Sequence, residues 1–338
     1  MSDSLSFIVH RSSFIVPTRP IALIQVDLDG LWAVRRCYGG EGAPEQDDPV
    51  YSRALPALLD LLDRFEAKAT FFVVGADAQV AWKRRLLESA VERGHELANH
   101  SMTHDLGLGQ LERDRLEEEV GGCQRVLKEA FGIEARGFRA PGYGLTGSVL
   151  ETLRRLGLRY DSSLLPTPWG WAMRGIARWI SGHRRGKSIS YGSWMGWRAP
   201  LRPCAVEPAD RSDPSRTSEA GSASKESLWE LPVSVTRRLR LPFHGGVGFL
   251  LGRRWVERAI GSLSRHEGFL NYVIHGMDLV DGREWEATPT RRGRRFFAGR
   301  VRERLEFFEG VCRAIRERFE IRRTDRWVEE AQTRVEND

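Results

Sequence analysis

Ile21-Ala22-Leu23-Ile24-Gln25-Val26-Asp27-Leu28-Asp29 is an apolar run that closes on two acids separated by one residue. The first six residues read as a buried strand, and the aspartates fall where that strand should end. In α/β folds, reactive groups collect at the carboxyl ends of strands. Further along, Gly-His-Glu-Leu-Ala-Asn-His-Ser-Met-Thr-His (94–104) reads as a short strand running into a loop that carries His100 and His104. Two imidazoles and one carboxylate, Asp29, make a three-ligand site for a divalent ion and leave a position open for water. Each piece alone is weak. A single Asp-x-Asp is commonly a turn or loop cap, and a single His-x3-His is often a coincidence of helix spacing. His95-Glu96 begins like a zincin motif, but position 99 is Asn, so the second histidine is missing. His95 is therefore read as the residue that starts the strand.

Working outward, Leu55, Leu58, Leu59, Leu62 and Phe65 recur at helical spacing, and Ala-Thr-Phe-Phe-Val-Val (69–74) reads as the second strand. Leu86, Leu87 and Val91 mark a helix before the histidine strand. Leu116, Val120, Cys123, Val126, Leu127 and Phe131 stripe a longer one. Val149, Leu150, Leu153 and Leu156 stripe another, with Tyr160 ending the strand after it. Val301, Leu305, Phe308, Cys312, Ile315 and Phe319 form the last long helix. Strands alternating with helices predict a mostly parallel α/β sheet. A chain of 338 residues with 41% hydrophobic content is long enough to bury one large core, and one domain is expected over 1–338.

Two stretches interrupt this pattern and form an insertion at about 166–227. Residues 205–227 hold almost no large apolar groups and read as a flexible loop. Residues 166–200 hold Trp169, Trp171, Trp179, Trp194 and Trp197, with Met173, Ile176 and Ile180, among Arg174, Arg178, Arg184, Arg185 and Lys187. Tryptophan beside basic residues suits either a lid over the site or an amphipathic helix touching anionic membrane. Arg237 to Phe243 continues the basic and apolar theme.

The formal charge of +6 is spread along the chain, with no recognition helix, stacking-aromatic motif or zinc module, so nucleic acid is excluded as a partner. Gly245, Gly246 and Gly248 read as a loop that resembles a phosphate loop only superficially, so no nucleotide cofactor is expected. No run of 18 apolar residues is present, which excludes a membrane-spanning helix. The N-terminus lacks a basic, then apolar, leader pattern. The four cysteines form no pair at metal or disulfide spacing. A cytoplasmic location is expected, with peripheral membrane contact as an added option.

Two later motifs complete the set. Gly-Phe-Arg-Ala-Pro-Gly-Tyr-Gly (137–144) follows a helix, and Asn-Tyr-Val-Ile-His-Gly-Met-Asp (271–278) is a late strand delivering His275. Asp-x-Asp, His-x3-His, Arg-x-Pro and a strand-end histidine, in that order, resemble the polysaccharide deacetylases (NodB homology) of carbohydrate esterase family 4, from about residue 20 to residue 325. The resemblance implies a distorted, incomplete (β/α) barrel rather than an open doubly wound sheet. It implies Asp27 as general base, and Asp29, His100 and His104 as metal ligands. It further implies Arg139 as the residue orienting the base, a backbone N–H near Gly142 as oxyanion donor, and His275 as general acid. The chain departs from the family pattern in three places. Leu28 separates the aspartates. Gly142 stands where an aromatic is usual, with Tyr143 one place later. The usual acidic, tryptophan-ended stretch is not visible, which leaves Asp161 or Glu230 to pair with His275.

The residue types carry the same chemistry without the family. A carboxylate beside a cation stays ionised and serves as a base. A second acid points to amides, because an amide anion leaves poorly unless protonated. The readings are, first, a metal-dependent hydrolase removing acetyl or formyl from an amino sugar of a polysaccharide or lipid-linked glycan. The second is a same-fold hydrolase of a small cyclic amide or imide. The third is a non-catalytic carbohydrate- or membrane-binding protein. The ligand set suits Zn²⁺, and also Co²⁺ or Ni²⁺. As bland alternatives, His275 would be a core histidine and Arg139 a surface ion-pair residue.

Overall fold

The computed structural model describes residues 19–37, 40–172, 175, 199–206, 228–281 and 301–337. Trp179, Trp194, Trp197, Met173, Ile176, Ile180 and the arginines among them lie outside these residues, as does 207–227 of the expected loop.

The quoted apolar run forms β1 (Ile21–Leu28), and every one of its eight residues is buried. It pairs in parallel with β2 (Thr70–Val73) on one side and β8 (Phe269–His275) on the other. The sheet continues through β3 (Glu96–Asn99), β4 (Gly137–Phe138), β5 (Tyr160–Asp161) and β7 (Leu228–Glu230), all parallel. Among the described strands, only β6 (Cys204–Val206) runs antiparallel, against β7. A short β9 (Glu320–Arg322) pairs with the first residues of β1, where β2 has not yet begun. No ladder joins β7 to β8 among the described residues. The chain after β7 spans that gap through Ser234 N–H to Asn271 O (3.1 Å) and a bridge between His244 and Val273. This is the incomplete barrel that the resemblance implies.

The alternation of strand side chains explains which residues face the interior. Ala22, Ile24, Val26, Phe71, Val73, Leu97, Leu270, Tyr272 and Ile274 join the large outer core. They pack beneath helices α2 (Leu55–Arg64), α4 (Ala81–Glu92), α5 (Arg113–Phe131), α8 (Arg253–His266) and α9 (Val301–Arg318). The other face points into the curl. Its lower end is apolar, with Ile21, Leu23, Phe72, Ala98, Tyr160, Trp229 and Phe269, closed by Val328 and Trp327 of α10 (Thr324–Asn337). Its upper end turns polar, at Gln25 and Asp27 of β1 and Asn271 and His275 of β8. Burial on both faces removes the alternating hydrophobic pattern of a half-exposed strand. That is why these strands read as near-continuous apolar runs.

Three further helices frame the upper rim: α1 (Leu31–Cys37), α3 (Gly75–Ala78) and α6 (Gly147–Arg155). Thr146 caps α6 by accepting from Val149 N–H (3.3 Å). Gly245, Gly246 and Gly248, read from sequence as a loop, instead begin α7 (Gly245–Leu251). A Cβ at Gly245 would stand 2.5 Å from Asp278 Oδ2, and one at Gly248 would stand 3.0 Å from Val256. Gly245 and Gly248 allow this close packing. All four cysteines are free, and no helix among the described residues is long and apolar enough to cross a membrane.

Candidate metal and catalytic site

Sheet register builds the site. Asp27 is the parallel partner of His275, and Val73 is the partner of Asn99, the residue before His100. Asn99 pairs with Phe138, the residue before Arg139, and Phe138 with Asp161. Six strands thus end at one level, and five of them deliver polar residues to one rim.

His100 and His104 leave β3 on a tight loop in which Ser101 and His104 both adopt left-handed backbone, φ 64° and 57°. Asn99 Oδ1 accepts from Ser101 N–H (2.9 Å), and Ser101 Oγ accepts from His104 N–H (3.1 Å). The fold back brings the two rings to 5.1 Å between centroids. Nδ1 of His100 lies 2.7 Å from the Arg139 carbonyl. A carbonyl only accepts, so Nδ1 carries the proton and Nε2 presents a lone pair. That Nε2 lies 3.0 Å from Asp29 Oδ1, and Nε2 of His104 lies 3.3 Å from the same oxygen. Asp29 Oδ1 is buried and receives no hydrogen bond among the described residues. One ligand atom from each of the three residues lies within 4.8 Å of the others.

Lone pairs converging in a buried place repel one another unless positive charge stands between them. The electrostatics agree. Burial would push the Asp29 carboxyl up, but His104 and His100 more than offset this and hold it well below the usual range. Burial would depress His104, but Asp29 and the Cys37 thiol instead raise it well above its ordinary value. A divalent ion fits this donor set of two imidazoles and one carboxylate.

Asp29 is held from behind. Gly30 N–H donates to Asp77 Oδ2 (3.2 Å) and Leu31 N–H to Asp48 Oδ2 (2.9 Å). Fully buried Lys83 joins the two acids, at 2.8 Å from Asp48 and 2.6 Å from Asp77. Even so, burial raises Asp77 to about 6. None of these three residues had been singled out from sequence, because each is an ordinary helix-face or turn residue until the fold assembles them.

Beside the ligands, Asp27 Oδ1 accepts from Arg139 Nη1 at 2.5 Å. Arg139 is fully buried, with Nε on the Ser162 carbonyl (2.8 Å), Nη2 on Ser162 Oγ (2.9 Å) and on Gln25, and the guanidinium 4.3 Å over the Phe72 ring. Burial would weaken the guanidinium, but Asp27 more than offsets it and raises Arg139 above its usual range. The surface ion-pair alternative is therefore replaced by a buried one. Gln25 and Asn271 complete the support, since Ser162 Oγ donates to Gln25 (2.9 Å) and accepts from Asn271 (3.0 Å). A polar residue inside each apolar run was the available signal for both.

His275 Nε2 lies 3.5 Å from Asp27 Oδ2. Its carboxylate partner is neither Asp161 nor Glu230. Asp161 accepts from Ser163 N–H (3.0 Å) and Oγ (2.7 Å), and Glu230 accepts from Leu164 N–H (3.1 Å). Burial raises both neighbouring acids, Glu230 the further of the two because the Asp161 charge adds to it. They brace the strand ends, since Ser163 Oγ also accepts from Ala140 N–H beside Arg139 (2.8 Å). On its other side His275 adjoins Asp278 through backbone bonds: Asp278 Oδ2 accepts from His275 N–H (3.0 Å), and the His275 ring accepts from the Asp278 backbone N–H, because the chain turns back in one helical turn after β8. The Asp278 carboxylate lies 3.9 Å from Nδ1, and Asp27 is the nearer acid.

Gly142 and Tyr143 both adopt left-handed backbone, φ 60° and 59°. Tyr143 N–H donates to Ala140 O (3.0 Å) within the turn, which leaves the N–H of Gly142 as the backbone donor on this loop. In the insertion, Trp169 donates to the Leu239 carbonyl (2.7 Å), and Trp171 is 63% exposed.

The polysaccharide deacetylase family profile covers residues 46–160. A chitooligosaccharide deacetylase of Bradyrhizobium sp. (strain ANU 289) is 35% identical over 158 residues, which is 45% of this chain and 70% of the relative. A peptidoglycan-N-acetylglucosamine deacetylase of Bacillus cereus is 32% identical over 124 residues, 37% of this chain and 52% of the relative. The chain thus spans about half to 70% of the length of these curated relatives. In fold, the crystal structure of a Pseudomonas aeruginosa PAO1 protein assigned as a polysaccharide deacetylase aligns over 93% of this chain and 92% of its own, with TM-score 0.56 at 14% identity. A Mycobacterium smegmatis structure assigned likewise aligns over 94% and 91%, with TM-score 0.54 at 18% identity. With the strand-end motifs in order, the curled sheet in place and a relative matched over most of its length, the chain belongs to the polysaccharide deacetylase family.

Proposed function

We propose that this protein removes an N-acyl group, acetyl or formyl, from an amino sugar of a glycan, with a divalent ion, Zn²⁺ by preference, held by Asp29, His100 and His104. The observation that carries the reading is the buried Asp29 oxygen with no hydrogen-bond donor, faced by two imidazole nitrogens, one hydrogen-bonded base away from a strand-end histidine. When bound, such an ion lowers the pKa of its water toward about 7 and polarises the acyl carbonyl. The protein's own groups do the rest. Asp27, paired with Arg139, takes a proton from the attacking water. The new C–O bond forms at the carbonyl carbon, and the oxygen that gains charge lies toward the Gly142 N–H. His275, oriented by Asp278, delivers a proton to the nitrogen as the C–N bond breaks, so the amine leaves neutral. Each proton transfer contributes roughly 10²–10⁴-fold. The relatives named for chitooligosaccharide and peptidoglycan deacetylation support a glycan substrate. A lipid-linked amino sugar offers the same amide and belongs in the same screen.

The test is a mass-spectrometric screen of N-acylated amino sugars, free, polymeric and lipid-linked, for a loss of about 42 (acetyl) or about 28 (formyl) mass units on amide hydrolysis. It is joined to elemental analysis. Asp27→Asn retains the metal and loses turnover, whereas His100→Ala loses both. Equal metal in the two variants would overturn the assignment of roles.

A further inference from the structure

Of the buried polar atoms without a partner among the described residues, two lie beside His275 and Asp27 on residues that the chemistry above leaves unused. They are Nδ1 of His244 and the hydroxyl of Tyr143, both buried. Buried polar groups in folded proteins are paired in the large majority of cases, so each exception calls for a reason. Both residues adjoin the same strand end. His244 is bridged to Val273 of β8, and its ring stands edge-on to His275, with centroids 5.8 Å apart at 75°. It holds the N-cap position of α7, where a side chain commonly accepts a backbone bond, yet it makes no such bond. The Tyr143 ring packs with Val273, Val235, Val233 and Leu165. Its hydroxyl lies within the fields of Asp27, Arg139, Asp29 and Asp278. Tyr143 also holds the left-handed backbone that residues with a Cβ rarely adopt. Strain and an unpaired hydroxyl coincide at one residue, the kind of outlier from which a functional role is inferred.

We propose that His244 and Tyr143 form a hydrogen-bonding subsite for hydroxyl groups of the sugar ring whose amide is cleaved between Asp27 and His275. The proposal rests on the amino-sugar reading and deepens it, because such a subsite selects a polyhydroxylated ring over a compact cyclic amide. The chemistry of the two groups fits. Burial, with His275 alongside, holds His244 down at about 3, so its ring is neutral and offers one donor and one acceptor. Burial pushes the Tyr143 phenol up, so it remains a donor. Two neutral groups of this kind match hydroxyls, whereas phosphate or carboxylate calls for a cation. Tyr143 retains 9% exposure and His244 is half-buried, so both side chains border the solvent side of the rim.

The test uses the full-length, metal-loaded enzyme with an N-acetylated chitooligosaccharide and its monodeoxy analogues. Tyr143→Phe and His244→Phe each lower kcat/KM about tenfold or more on the full sugar. On one deoxy analogue the loss shrinks, because the hydroxyl that met the side chain is already gone. His244→Asn, which keeps a polar atom near the Nδ1 position, recovers part of the activity. The thermal midpoint of Tyr143→Phe stays level or rises, since an unpaired hydroxyl has been removed. A lowered midpoint with equal losses on every analogue assigns the groups to the fold and overturns the subsite alone. A wild-type enzyme that hydrolyses no acylated amino sugar overturns both the subsite and the reading beneath it.

Discussion

Glu96 provides a quantitative test of how the metal-bearing strand is anchored. It opens β3, four residues before His100. Its carboxyl accepts from Thr70 Oγ1 (2.6 Å), Tyr160 OH (2.9 Å) and Asp325 N–H (3.1 Å). Burial, followed by the charge of Asp325, outweighs these donors and raises the acid from 4.5 to about 8. The Thr70 hydroxyl lies 2.7 Å from Thr324 Oγ1, so it has an alternative partner and is free to accept the Glu96 proton. At neutral pH the carboxyl is therefore protonated in the fold and ionised in the unfolded chain. Between pH 4.5 and about 8 the folded state binds more protons, so stability falls as pH rises through that window and levels off above it. The gap is on the order of 5 kcal/mol. At about 2.1 cal/mol/K of unfolding entropy per residue, that is a fall in melting temperature of roughly 7 °C. His95, held at about 4 by burial, acts in the opposite sense between 4 and 6.5, where its unfolded form binds the extra proton. Comparison with Glu96→Gln, neutral at every pH, isolates the Glu96 contribution. Urea unfolding from pH 5 to 9 should show the advantage of the wild type over the variant shrinking by most of that amount. A difference that stays flat, or grows with pH, would refute the protonated carboxyl.

Two further outcomes follow from the support around the site. Lys83→Met leaves Asp48 and Asp77 buried without a counter-charge. Stability should drop by about 3–5 kcal/mol, and chelator competition should show metal affinity reduced by roughly 10–100-fold, since both acids hold the backbone after Asp29. Arg139→Lys keeps the charge but loses the planar fork that joins Asp27, Gln25 and Ser162 and stacks on Phe72. Turnover at saturating substrate should fall at least about tenfold, and unchanged turnover would separate Arg139 from the base.

Much of the site was legible because its signals are local. A strand buried on both faces is an apolar run, and a reactive strand end is a polar residue directly after it. Asp27, Asp29, His100, Arg139 and His275 all obey that rule. His104 sits on the adjoining loop and reaches the same centre because Ser101 and His104 turn the chain back. The pairing of His275 was misread as Asp161 or Glu230 even though Asp278 stood three residues away, within the stretch quoted for that strand. The turn that folds Asp278 onto His275 has no apolar periodicity to announce it. Gly245 to Gly248 were misread for the opposite reason. Glycine weakens a helix locally, and only contact with Asp278 and Val256 shows why it is needed there.

The amino-acid order alone determined the strands, their carboxyl-end acids and imidazoles, and hence the chemistry available to this protein, because hydrophobic period and residue type act over a few neighbouring positions. Only the tertiary structure decided who faces whom. Parallel register set Asp27 beside His275, and the curl of the sheet gathered Lys83, Asp48 and Asp77 behind Asp29. The same curl left His244 Nδ1 and the Tyr143 hydroxyl without a partner among the described residues. Such meetings depend on distances between segments far apart in the chain, and local propensity carries no record of them.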